Sequence, residues 1–197
     1  MVKSSATDGI ELRTDRLVIR DLRPGDARSV HEFNTRNRWY HERWEPKRAA
    51  EYYTLRFQRR LLRHLRHNAG IVQFGFSLIP ATGRATLHRP PDGVITYSNI
   101  VRGPFQSCFV GYRLAVSAEG RGLMTEALSA TVSYMFEVEG LHRIEANIMP
   151  TNDRSIRLIT RLGFVFEGRS RRYLRIQGCW EDHDHYVLLN DRWKPRD

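Results

Sequence analysis

The sequence predicts an α/β fold in which a mixed central sheet carries flanking helices. Three observations lead there. Within 197 residues no Pro/Gly/Ser-rich linker divides the chain, so one well-filled domain is expected, covering residues 12–197 behind a flexible N-terminal tail of residues 1–11. The elements read, in order, as a strand, two helices, three antiparallel-type strands, a helix, a strand, a helix and a terminal hairpin. Between Cys108 and Phe136 the apolar pattern changes period. Cys108 to Leu114 is β-rich, whereas Leu123, Met124, Leu128, Val132, Met135 and Phe136 recur at three- and four-residue steps, with Gly120 and Gly122 at the switch.

Residues 1–8 read as a frayed tail, and Leu12 to Leu22, rich in aliphatics at Leu17-Val18-Ile19, reads as the first strand. Arg23-Pro24-Gly25-Asp26 breaks it, and Asp26 can cap or charge a helix with the face Ala27, Val30 and Phe33, ending near Asn37. Trp39, Tyr40, Trp44, Glu45 and Pro46 follow in an aromatic connection, either a substrate wall or a plug on the core. A second helix from Ala49 to Asn68 puts Tyr53, Phe57, Leu61, Leu62 and Leu65 on one face. Arg56, Arg59, Arg60, Arg63 and Arg66 surround the rest, and Gly70 stops it.

Ile71 to Ile79 reads as a strand, Pro80 to Gly83 as a turn, and Val94 to Val101 as the partner strand beyond a loop at Pro90-Pro91. Arg102-Gly103-Pro104 leads into strand 107–114. After the central helix, Gly140 precedes strand Arg143 to Met149, in which alternation sets Glu145 and Asn147 on one face and Ala146 and Ile148 on the other. Pro150-Thr151-Asn152 opens a helix closed by Gly163, Phe164 to Phe166 begins another strand, and Gln177-Gly178 marks a hairpin turn.

Composition narrows the classes. The formal charge is +10, carried almost wholly by Arg, with Lys only at Lys3, Lys47 and Lys194, and it predicts attraction to polyanions such as RNA or an acidic cofactor. The arginine helix is a solvated face or an RNA-phosphate contact. No apolar run approaches a membrane span and Met1 to Asp8 lacks a signal-peptide core, so a soluble, cytoplasmic protein is expected. Cys108 and Cys179 have no metal-ligand spacing and read as packing residues. In Asp182-His183-Asp184-His185 alternation puts the histidines and the aspartates on opposite faces, which argues against a metal.

The stretch from Leu114 to Leu128 carries the most chemistry. A helix start offers unpaired backbone N–H groups and the positive end of a dipole, and glycines let an anion approach both. An anion is expected over residues 120–125, although an ordinary tight strand-to-helix turn uses glycine too. The P-loop's Gly-Lys-Ser/Thr ending is absent and the glycine spacing is not that of a dinucleotide fold.

Glu119-Gly120-Arg121-Gly122-Leu123-Met124, with Asn152-Asp153-Arg154-Ser155 and Leu162-Gly163-Phe164, resembles the GNAT N-acetyltransferases over nearly all of residues 12–192. Trp44-Glu45-Pro46, Ser98 to Gly103, Gly120 to Met124 and His142-Arg143-Ile144 are most similar to the ribosomal-protein-alanine N-acetyltransferases of the RimJ/RimL type, RimJ in particular. The resemblance implies acetyl-CoA in a splay between strands 107–114 and 143–149, held by Tyr112, Arg113, Leu114, Gly120, Arg121, Gly122, Leu123, Met124, Thr125 and Asn152. It implies an N-terminal α-amine of an Ala- or Ser-starting ribosomal protein as acceptor, contacted by Trp39, Tyr40, Trp44, Glu45, Ser98 and Asn99. It further implies direct transfer in a ternary complex, with no metal.

Ser155 is the candidate for stabilising or protonating the departing thiolate, and Glu145, beside Asn147, the candidate base. Asn147 stands where some relatives carry a catalytic Glu, and the tyrosine acid of others falls at Ile159. Glu119 and Met124 depart from the family's loop, and Glu119 must point away from a pyrophosphate. An α-amine of pKa ~7.8 is already roughly a tenth neutral at pH 7, so the acceptor demands little of a base. Two other readings stay open: a basic ribosome- or RNA-associated assembly factor with vestigial catalysis, reaching ribosomal RNA or a pre-ribosomal particle through Arg56, Arg59, Arg60, Arg63 and Arg66, and a small-amine or antibiotic acetyltransferase.

Overall fold

The computed structural model describes residues 3–5, 9–79 and 90–195. They form one sheet in the order β1-β2-β3-β4-β5-β6-β7-β9-β8. The strands are β1 (Lys3–Ser5), β2 (Gly9–Arg13), β3 (Leu17–Asp21), β4 (Val72–Leu78), β5 (Gly93–Val101), β6 (Ser107–Leu114), β7 (Arg143–Ile148), β8 (Val165–Ile176) and β9 (Cys179–Leu189). The helices are α1 (Ala27–Arg36), α2 (Arg38–His41), α3 (Leu55–Arg66), α4 (Leu123–Glu137) and α5 (Asp153–Arg161). Every neighbouring pair is antiparallel except β6 with β7, the two strands joined by α4. The mixed sheet with flanking helices is as the sequence led one to expect.

Cross-strand partners share a face of a sheet. The rows Val72–Tyr97–Val110 and Phe74–Ile95–Tyr112 therefore line one face. There α4 buries Leu123, Met124, Ala127, Leu128, Thr131, Val132, Tyr134 and Met135. The buried Tyr97 hydroxyl meets Thr131 Oγ1 at 3.0 Å, and burial raises its pKa far above the ordinary phenol value. In the next row Phe76 lies across Gly93, where a Cβ would sit 2.3 Å from the ring, so only glycine admits this packing. α5 joins α4 on this face, where Tyr112 Oη donates to the Ser155 carbonyl at 3.4 Å. α1 takes the opposite face, where Arg113 reaches Asn34 Oδ1 at 2.7 Å and lies over Phe33. α3 packs on α1 and is anchored by Leu62, 1% exposed, whose burial contributes about 2 kcal/mol.

Three local expectations need correction. Residues 9–11, assigned to a flexible tail, belong to β2, which pairs with β3 through Glu11–Arg20, Leu12–Ile19 and Arg13–Val18. The single strand expected at Leu12 to Leu22 is thus two strands, joined by a turn in which Thr14 N–H reaches the Leu17 carbonyl. The helix expected from Ala49 begins only at Leu55, because Thr54 is extended and its hydroxyl accepts from Phe57 N–H as an N-cap. The turn at Pro80 to Gly83 lies outside the described residues. Gln177-Gly178 does make the two-residue turn between β8 and β9, both at positive φ as such a hairpin requires.

Candidate active site

The site begins where β6 and β7 part. They pair in parallel at Ser107–Arg143, Cys108–Ile144 and Phe109–Glu145. Beyond that row β6 continues to Leu114 on β5, and β7 continues to Ile148 on β9. Each arm keeps its outer partner, so the gap is a wedge held open from both sides rather than a frayed edge. Antiparallel alternation turns the peptide groups of Val110, Tyr112 and Leu114 away from β5 and toward the gap, along roughly 16 Å of strand at about 3.3 Å per residue. His41 from α2 closes part of this edge, its Nε2 meeting the Leu114 carbonyl at 2.8 Å. The carbonyl only accepts, so Nε2 carries the hydrogen, and burial lowers the His41 pKa.

At the mouth of the wedge, Gly120 and Gly122 adopt left-handed φ of +71° and +72°, and Gly122 is the N-cap of α4. No atom lies within 4 Å of where a Gly120 Cβ would stand, and the nearest to a Gly122 Cβ is Arg16 Nη2 at 3.7 Å. This open backbone concavity at a helix start fits a phosphate group. Leu123 and Met124 are buried beneath it, so only their peptide groups could face an anion. Arg16, which the sequence reading missed, holds the rim by donating to the Arg121 carbonyl at 3.0 Å and pairing with Glu126 at 2.6 Å. Burial would raise the Glu126 carboxyl, but bonds from Thr14 and Arg16 outweigh it and hold it below the ordinary range.

Glu119 is turned to Arg154 Nη1, at 2.6 Å, and the same nitrogen donates to Tyr40 Oη at 2.7 Å. The cluster joins the start of α5 to the loop before Gly120 and to α2, so Tyr40 stands at this mouth. Despite partial burial, the hydrogen bonds from Tyr40 and Arg154 hold the Glu119 carboxyl below its usual range. Asn152 caps α5, its Oδ1 accepting from Ser155 N–H at 3.3 Å. Tyr112 crosses from β6 to α5, and burial pushes its phenol up to about 12. The Arg113 side chain is committed to Asn34, Glu45 and Tyr52 on the α1 side, away from α4 and α5.

The proposed acceptor residues are dispersed. Trp39 is 69% exposed, so it plugs no core, while Trp44 stacks under Arg43. The connection meets the β8–β9 turn, where Gln177 Nε2 donates to the carbonyls of Glu42 and Glu45 and Pro46 bridges to Ile176. Ser98, opposite Phe109, and Asn99, at φ 51°, lie at the far end of β6, where the wedge closes. The structure thus brings Glu45 to the hairpin turn, sets Tyr40 with Arg154 and Glu119, and leaves Ser98 and Asn99 apart from both.

On the face away from α4 and α5, Glu145 and Asn147 do lie together, as alternation required. Glu145 Oε2 receives Arg143 at 3.0 Å, and Arg143 also holds Glu167 at 2.6 Å. Both β7 side chains reach His185 of β9, whose Nδ1 is 2.5 Å from Asn147 Oδ1 and 3.3 Å from Glu145 Oε1. His185 Nε2 is 2.7 Å from Ser170 Oγ of β8. A bulge between Ser170 and Leu174 brings Tyr173 against both His183 and His185. The two histidines share a face as expected, but they are not solvated strand residues: His183 is 3% exposed, and burial lowers its pKa. Asp184 is buried against Arg169. Cys108 is buried, whereas Cys179 is exposed beside the hairpin turn rather than packed. Among the described residues no group of three or more His, Cys, Asp or Glu could hold a metal, and no helix is long and apolar enough to cross a membrane.

Comparison with known proteins agrees with this geometry. The acetyltransferase (GNAT) domain matches residues 16–165. The chain is 38% identical over 188 residues to the [ribosomal protein uS5]-alanine N-acetyltransferase of Escherichia coli strain K12, covering 94% of each. The crystal structure of ribosomal-protein-S5-alanine acetyltransferase from Vibrio fischeri superposes with a TM-score of 0.85 at 32% identity, over 94% of this chain and 99% of that one. RimJ of Mycobacterium smegmatis in complex with CoA-disulfide gives 0.79 at 27% identity, over 92% and 82%. A strand pair that parts above a glycine-capped helix start, in a chain matched over most of its length by these enzymes, places this protein in the GNAT acetyltransferase family.

Proposed function

We propose that the chain transfers an acetyl group from acetyl-CoA directly to the N-terminal α-amine of a ribosomal protein beginning with Ala or Ser. The observation that carries this reading is the wedge itself, with free strand edge along one arm and a side-chain-free helix start at its mouth. Acetyl-CoA supplies the activated acetyl thioester. The peptide groups of Gly120 to Thr125 hold its pyrophosphate, with the Arg16 guanidinium close by, and Tyr112 offers its peptide edge, and Leu114 its N–H, to the pantetheine arm. Asn152 Oδ1 is engaged in capping, which leaves its amide nitrogen for the arm. Ser155, in the first turn of α5, stabilises or protonates the departing thiolate. Glu145 and Asn147 serve the acceptor side.

The acceptor class follows from the likeness to the uS5-alanine enzymes and from the chemistry of an α-amine, which is neutral often enough to need modest base assistance. The connection from Trp39 to Pro46, braced by Gln177, frames the entry for the first residues of the acceptor. Contact with ribosomal RNA is the further part of the reading. Arg56, Arg59, Arg60, Arg63 and Arg66 are all exposed along α3, and each phosphate they meet releases condensed counterions.

Matched peptides beginning with Ala, with blocked Ala plus an internal Lys, and a small polyamine, each offered with acetyl-CoA, test the acceptor by mass spectrometry. Acetylation of the free Ala terminus is expected. Acetylation only of the Lys peptide or the polyamine rejects it, and inactivity on all three with retained RNA binding favours an assembly factor. Reversing the five α3 charges should weaken association with ribosomal particles and flatten its salt dependence while sparing peptide turnover.

A further inference from the structure

We propose that Ser170, His185 and Glu145 form a proton relay that takes the proton from the acceptor amine, with His185 as the base. This deepens the acetyl-transfer reading and rests on it. Nδ1 of His185 faces two oxygens, Asn147 Oδ1 at 2.5 Å and Glu145 Oε1 at 3.3 Å. An ionised carboxylate only accepts, so Nδ1 must carry the hydrogen. In the neutral ring Nε2 is then bare, and the contact at 2.7 Å is Ser170 Oγ donating to it. The order of groups is hydroxyl, imidazole, carboxylate, an arrangement able to draw a proton inward and stabilise the imidazolium that results.

Glu145 is itself poorly placed to be the terminal base. Arg143 lies 3.0 Å from its Oε2 and occupies that oxygen, while Oε1 is turned to His185. The same pairing makes it a fixed anion for His185. The location matches the need, since Glu145 is the last β7 residue paired with β6 and Asn147, opposite His185, is already on the separated arm. The groups packed about the imidazole are Glu145, Asn147 and, behind Glu145, Arg143 from β7; Ser170, Tyr173 and Glu167, the last held by Arg143, from β8; and His183 from β9. Tyr173 stands edge-on to the ring, with centroids 5.0 Å apart, and fixes its plane.

In the step assigned, the acceptor ammonium gives one proton to Ser170 Oγ as the serine's own hydrogen passes to His185 Nε2, and the imidazolium releases it to solvent. The freed nitrogen lone pair forms the C–N bond to the acetyl carbon, and the C–S bond breaks. The nitrogen sheds its second proton, which accounts for the one taken up by the CoA thiolate.

Two measurements decide it. Nitrogen-15 spectra of histidine in the full-length protein should show His185 protonated at Nδ1 and bare at Nε2, and the opposite tautomer overturns the relay whether or not turnover is seen. With an Ala-starting peptide, His185→Gly should lower kcat at least tenfold at pH 6.5 while acetyl-CoA affinity stays within twofold. Its pH–rate midpoint should move up toward the acceptor amine, ~7.8. Added imidazole should restore part of the rate, and Ser170→Thr should keep more activity than Ser170→Ala. A loss equal at every pH with no response to imidazole marks a merely structural residue and overturns the relay. Inactivity of the wild type on every amine rejects the acetyl-transfer reading itself, leaving the tautomer to be judged separately.

Discussion

The two arms of the wedge differ in what they present. On the β6 side, the strand edge of Val110 to Leu114 and the loop from Glu119 to Met124 offer peptide groups. The side chains nearby are absent, as at Gly120 and Gly122, buried, as at Leu123 and Met124, or committed elsewhere, as Glu119 is to Arg154 and Tyr40. On the β7 side, where β9 takes every second peptide group, the site consists chiefly of side chains from three strands, Glu145 and Asn147, Ser170, and His185. Backbone recognition tolerates substitution as long as the conformation survives. Side-chain chemistry tolerates repacking only as long as the hydrogen bonds survive. The two arms should therefore fail differently when mutated.

The largest effect is expected from Gly122→Glu, which forces a side chain into φ +72° and puts a carboxylate into the cradle. Calorimetry should find acetyl-CoA affinity reduced at least tenfold with the circular-dichroism spectrum preserved, and unchanged affinity removes the cradle. On the other arm, Glu145→Gln should leave that affinity alone and lower turnover severalfold, chiefly at low pH. There fewer acceptor amines are already neutral and base assistance counts most. A pH–rate profile parallel to wild type would detach Glu145 from catalysis and erase the contrast.

Ser155→Ala sharpens the comparison, because Ser155 belongs to the cofactor's side yet should act through its side chain. Turnover is expected to fall by a few fold without loss of acetyl-CoA affinity, since thiolate charge develops only in the transition state. Equal turnover in both proteins removes it from the mechanism. The smallest effect concerns His41, which seals the end of the β6 edge. Its folded pKa is depressed by burial, so the unfolded chain takes up the proton first. The stability this group contributes is present above the unfolded value of ~6.5 and is lost as pH falls below it. Thermal melts from pH 7.5 to 5.5 should decline less steeply for His41→Gln than for wild type, and identical slopes would dismiss the linkage.

The sequence by itself determined most of the elements and the glycine turn that opens α4. Helix and strand periods are local, and a glycine pair at a period switch is a contiguous signal, so α4, the hairpin turn at Gln177-Gly178 and the strand-to-helix turn at Gly120 and Gly122 could be read directly. The alternation of β7 even put Glu145 beside Asn147. Where local signals conflicted, reading failed: apolar spacing continued across Thr54, but its N-cap bond to Phe57 decided where α3 begins.

Only the tertiary structure decided what meets what. Arg16 lies more than a hundred residues from the glycine loop it braces, and nothing in its own neighbourhood marks it. Arg113 sits near the end of the expected cofactor strand, and α1 on its face turned it into a half-buried cation held by Asn34 and Glu45. His185 and Ser170 reach Glu145 through the register of β9 against β7 and a bulge in β8. Register is set by the packing of whole faces, and a shift of one residue would send each of these side chains to the opposite side of the sheet.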